Sequence, residues 1–96
     1  MTIHGTATFT VRKDELDGAL RAIRTFVAHT RTEPGTNRYE AWRSVDRPTE
    51  FMHIMSFADE AAEELHSSSD AVKTFVDALY PRCEQEPTFA RWTIVE

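Results

Sequence analysis

The amino-acid sequence predicts an α+β fold of the ferredoxin-like type, βαββαβ, in which one four-stranded antiparallel sheet is covered on one side by two helical segments. Three observations predict it. Apolar and polar residues alternate near the N-terminus, the spacing then changes to three and four, and two strand-like runs, a further helical stretch and a last strand-like run follow between turn residues. At 96 residues the chain is read as one domain spanning 1–96. With 41% hydrophobic residues and only 3 Gly and 4 Pro, it has enough apolar surface to fold and is not a linker.

Ile3, Gly5, Ala7, Phe9 and Val11 alternate with His4, Thr6, Thr8 and Thr10, which predicts a strand with one apolar face. From Asp14, read as an N-cap, Leu16, Ala19, Leu20, Ile23 and Val27 recur at helical spacing and predict a helix ending near Thr30. Glu33-Pro34-Gly35 breaks it, because Pro forces its predecessor toward extended geometry and Gly tolerates positive φ. Thr36 to Val45 and Glu50 to Phe57 read as two strands around the Asp46-Arg47-Pro48-Thr49 turn. Asp59 is expected to cap a short helix through Leu65. Ser67 with Asp70 is expected to open a second helix that buries Val72, Phe75, Val76 and Leu79. Pro81 and Pro87 bracket its exit, and Thr88 to Val95 is the last expected strand.

If Phe9, Tyr39, Phe51 and Phe57 face the helices, the opposite face of the sheet carries Trp42, Met52, Ile54, Trp92 and Ile94. Burying a side chain of that size is worth about 1.5–3 kcal/mol, so a solvated face should not hold five of them. A second copy of the chain packed about a two-fold axis is the economical cover, and a homodimer is expected. A chain this small without disulfides is marginal alone, which points the same way.

Sixteen acidic against 11 basic residues, a net charge of −5, argue against nucleic acid as a partner. The single cysteine, Cys83, forms no intrachain disulfide and suits a reducing cytoplasm, with Arg82 beside it as a neighbour that can lower its pKa. No signal-peptide pattern and no run of about 18 apolar residues is present, so neither secretion nor a membrane partner is expected. The four histidines show no metal-ligand spacing, and no phosphate loop, GxSxG elbow or dinucleotide fingerprint occurs. The expected chemistry uses no metal and no cofactor.

His66, at the turn into Ser67-Ser68-Ser69-Asp70, is either a surface histidine favoured by a helix C-terminus or a base that takes a phenolic proton. His53 shares the strand phase of Phe51 and Phe57 and so faces the helices, as a satisfied core residue or as pocket lining. Tyr39 and Asn37 are read on one strand face, where a hydroxyl and an amide can be aimed at a ligand. Met55, with Met52, fills core or interface, and Met55 together with Phe9, Phe57 and Phe75 is expected to wall a pocket.

Arg31-Thr32-Glu33-Pro34-Gly35, Tyr39, Asp46-Arg47-Pro48 with Phe51, and Glu60-Ala61-Ala62 through His66-Ser67-Ser68 with Phe75 together resemble the antibiotic biosynthesis monooxygenase family of dimeric α+β barrels. The resemblance implies that two sheets close into a barrel and that each subunit keeps a pocket between sheet and helices. Relatives there oxidise polyphenols or quinols with dioxygen, without metal or flavin. His66 then corresponds to the family's recurring histidine and Tyr39 to its strand-two tyrosine. Two departures matter. Many relatives carry a Glu and a Trp near the end of strand three, where this chain has Met55 and Phe57, so the pocket is more apolar. The haem-degrading branch has an Asn on strand one and a Trp near strand three, and Ala7 and Phe57 stand there instead, which disfavours haem degradation. The leading expectation is a cofactor-independent monooxygenase acting on a small aromatic or quinol-like metabolite. His66 would be the base, with His53 and Tyr39 orienting the substrate. The alternatives are a noncatalytic small-ligand-binding or stress-response dimer and an isomerase on the same scaffold.

Overall fold

A computed structural model describes residues 1–96. Its elements are β1 (Ile3–Thr10), α1 (Leu16–Thr30), β2 (Thr36–Arg43), β3 (Glu50–Phe57), α2 (Glu60–Ser67), α3 (Asp70–Leu79) and β4 (Thr88–Trp92). The strands form one sheet in the order β2-β3-β1-β4 with every neighbouring pair antiparallel, which is the ferredoxin-like α+β arrangement. No helix is long and apolar enough to cross a membrane.

Several boundaries differ from the sequence reading for local reasons. Lys13–Glu15 tighten into a 3₁₀ turn, so Asp14 lies before α1 and its side chain caps nothing. Ser67 is still inside α2. The extended residue before α3 is Ser69, whose Oγ accepts the Val72 N–H at 3.2 Å, so the cap is displaced by two residues. β2 stops at Arg43 because Ser44 turns the chain, its Oγ accepting the Arg47 N–H at 3.0 Å. β4 stops at Trp92, opposite His4, one residue inside the start of β1. Asp59 caps α2 as its position suggests, accepting the Ala62 N–H at 2.8 Å.

Register decides which residues meet the helices. Gly5 lies opposite Met55, Ala7 opposite His53 and Phe9 opposite Phe51, while Tyr39 lies opposite Met55 on the other side of β3. Residues opposite each other in an antiparallel pair share a face, so all of these point toward α1 and α3. From α1 the buried stripe is Ala19, Ile23, Phe26, Val27 and Thr30, and α3 adds Leu79. The other face carries Trp42, Met52, Ile54 and Trp92 among Thr6, Thr8 and Glu40. Trp42 and Trp92 are 52% and 62% exposed, held flat by indole N–H bonds to Glu40 Oε1 at 2.9 Å and Thr6 Oγ1 at 2.8 Å. Ile94 does not join them. It lies beyond β4 and is 73% exposed.

One contact seats α2. Gly35, at φ 82°, donates no side chain to the gap beneath the helix, and a Cβ built there would lie 2.6 Å from Ala62 Cβ. The Gly35 carbonyl accepts the Ala58 N–H at 2.7 Å, tying the turn to the end of β3. Gly35→Ala therefore meets both a left-handed backbone and a clash, and should destabilise the fold by about 2 kcal/mol or more in urea unfolding. In a double-mutant cycle, Ala62→Gly should cost less in the Gly35→Ala background than in the wild type. Equal costs in both backgrounds would place the loss in the dihedral alone.

Candidate functional site

A cavity of about 370 Å³ lies between the sheet and the helices, within the size range of small-molecule sites. Ala7, being small, leaves its floor open. Phe9, Met55 and Phe57 from the strands, Phe26 from α1, and Val72 and Phe75 from α3 make its walls apolar. Phe26 and Phe75 stack face to face with centroids 4.1 Å apart, which closes the gap between α1 and α3. Val72, Phe75 and Val76 are only half-buried because the side they share roofs the cavity.

The structure brings His66, His53, Tyr39, Phe9, Met55, Phe57 and Phe75 to this one cavity. Asn37 is not among them. A bulge between Thr36 and Arg38 takes Asn37 out of the pairing with β3, and its exposed side chain lines a shallow surface groove with Arg31, Arg38 and Glu40. Asn37 and Tyr39 therefore do not share the face that their two-residue spacing suggests.

His53 is 1% exposed, and its Nδ1 lies 2.9 Å from the Tyr39 hydroxyl. Burial pushes the Tyr39 phenol well above its ordinary value, with the nearby Glu33 and Tyr80 adding to the effect, so Tyr39 remains a neutral O–H. With the phenol donating to Nδ1, the neutral His53 ring carries its proton on Nε2. That Nε2 is buried and has no partner. An unpaired buried polar atom costs about 1–3 kcal/mol.

His66 is held differently. A carboxylate can only accept, so His66 Nδ1–H donates to Glu33 Oε1, 2.8 Å away, with both side chains nearly buried. Nε2 makes no hydrogen bond within the chain and is the ring atom left for a ligand. Both imidazoles thus line the cavity, with His66 Nε2 unpaired and His53 Nε2 buried without a partner. Arg91 of β4 and Glu63 of α2, both lining the cavity, form an ion pair.

Sequence reading passed over two of these residues. Glu33 served there as part of a helix breaker and of the run that carries the family resemblance, and nothing local announces a partner 33 positions away. Phe26 stands three residues after Ile23 and four before Thr30, so the helical periodicity could have found it. Cys83 stays away from the site. Burial raises its thiol pKa, Arg12 opposes this only in part, and Arg82 is engaged with Glu15.

Burial lowers the His53 pKa from 6.5 to about 4, so the folded state resists a proton that the unfolded chain takes up readily. Stability should be intact above pH 6.5 and fall as pH drops toward 4, by about 3 kcal/mol from this group. His53→Phe should flatten that part of the profile in urea unfolding measured at intervals between pH 7 and pH 4. An unchanged slope would assign the loss to other groups.

Comparison with known proteins agrees with this architecture. A crystal structure of an antibiotic biosynthesis monooxygenase superimposes with a TM-score of 0.93 at 23% identity, covering 100% of both chains. Rv0793 from Mycobacterium tuberculosis gives 0.92 at 16% identity, over 100% of this chain and 97% of that one. Protein SO0527 from Shewanella oneidensis gives 0.85 at 24% identity, over 95% and 88%. A search of the curated proteins finds no match. At these identities the structures share the fold, while the sequence pattern of the antibiotic biosynthesis monooxygenases matches residues 2–78. With most of its length so matched, the chain belongs to the antibiotic biosynthesis monooxygenase family.

Proposed function

We propose that the protein is a monooxygenase that oxidises a small phenolic or quinol-like aromatic with dioxygen and needs no cofactor. The observation that carries this reading is that His66 and His53 line one apolar cavity and that His66 keeps an Nε2 with no partner in the chain. His66 Nε2 takes the proton from the aromatic hydroxyl, and His53, hydrogen-bonded to Tyr39, helps to orient the ring. The deprotonated ring is electron-rich enough to reduce dioxygen itself. One oxygen atom replaces the hydrogen of a ring C–H as a carbonyl, the other leaves as water, and all four electrons come from the substrate. Phe9, Phe26, Phe57 and Phe75 exclude water from this exchange.

The homodimer belongs to the same proposal. Trp42, Met52, Ile54 and Trp92 form an apolar stripe on the sheet face that no helix covers, and a second sheet would bury it. A buried, unpaired Cys83 suits a reducing cytoplasm.

Metal-depleted protein should consume oxygen with at least one member of a panel of hydroquinones and polyhydroxylated aromatics. His66→Ala should reduce that rate by about 100-fold or more. No uptake across the panel, with thermal stabilisation by the same compounds, would leave a binding module. Turnover that continues without oxygen would make the protein an isomerase. Light scattering should give a mass of about 22 kDa, twice that of the chain. Trp92→Glu should shift it toward the single chain, and an unshifted mass would move the interface elsewhere.

A further inference from the structure

We propose that Glu33 is a positioning residue that fixes the tautomer and orientation of His66. The inference rests on the reading of His66 as the base. The neutral imidazole of a histidine can carry its proton on either nitrogen, and only a ring with a free Nε2 lone pair facing the cavity can take a proton from a ligand there. Glu33 decides between the two, because its carboxylate, 2.8 Å from Nδ1, accepts a hydrogen bond and donates none. The same hydrogen bond also opposes reorientation of the ring.

The arrangement is built into the backbone. Glu33 lies in the turn that carries Gly35, its N–H bonded to Thr30 O at 3.1 Å and its carbonyl accepting the Thr36 N–H at 3.3 Å. Ala62 and His66 are one helical turn apart on α2, so the face that rests on Gly35 also presents the imidazole to Glu33. The Glu33-Pro34-Gly35 segment thus ends a helix, seats a second one and supplies the carboxylate that meets its histidine.

Long-range ¹H–¹⁵N NMR of the ring nitrogens reads the tautomer directly, whether or not a substrate is turned over. In the wild type at a pH where His66 is neutral, the proton should reside on Nδ1. In Glu33→Ala it should redistribute to Nε2, while Glu33→Gln, which keeps an acceptor oxygen, should retain it on Nδ1. With a hydroquinone that the wild type oxidises, Glu33→Ala should lower kcat at least tenfold and change KM less than threefold. Glu33→Gln should fall between the two. A proton that stays on Nδ1 in Glu33→Ala, or sits on Nε2 in the wild type, overturns the assignment. Should Glu33→Ala not fold, Glu33→Leu and the wild-type spectrum carry the same decision. Absence of any oxygen uptake by the wild type would overturn the oxygenase reading and leave the tautomer result standing.

Discussion

The site depends on the seating of α2 against the turn between α1 and β2. Gly35 approaches Ala62 closely enough that no side chain fits between them, and the left-handed conformation at Gly35 turns its carbonyl to Ala58 at the end of β3. Asp59 opens the helix at that point, so the direction of α2 is set within a few residues of where the sheet releases the chain. A displacement here would change the cavity wall, the distance between Glu33 and His66, and the packing of His66 on Phe57 together.

Two imidazoles in an apolar enclosure need different neighbours, and the surroundings separate them. His53 meets a phenol that can give a hydrogen bond without bringing charge, and burial keeps the ring neutral. His66 meets a carboxylate that accepts its Nδ1–H. The same side-chain type is therefore held by a phenol in one wall and by a carboxylate in another. The division requires no third polar group within the cavity, whose remaining walls are mainly hydrocarbon.

Most of the architecture was legible because it rests on local patterns. The alternation in β1, the helical stripe before Thr30 and the aromatic phase of Phe51, His53 and Phe57 each survive in the sheet and helices that form. Asn37 shows where local reading stops. A bulge leaves no mark in a run that includes Thr36, Asn37 and Arg38, yet it reverses the face of every residue before it relative to those after. Glu33 shows a second limit. Its meeting with His66 is created by the path of the chain between them, and a turn acid is otherwise indistinguishable from a solvated one. Ser69 shows a third, since three consecutive serines offer equivalent caps and the length of α2 chooses among them.

β4 borders the cavity while pairing on one side only, through five residue pairs with β1. Its Phe89 and Arg91 belong to the wall, and its outer backbone edge has no neighbouring strand. An edge ladder opens at lower free energy than a central one, and of the two edge strands β4 has the shorter ladder, so this wall is the more compliant part of the enclosure. The volume available to a guest is thereby coupled to the pairing of the weakest strand. Amide exchange along β4 would report that breathing directly, with β3 as the rigid reference in the same molecule.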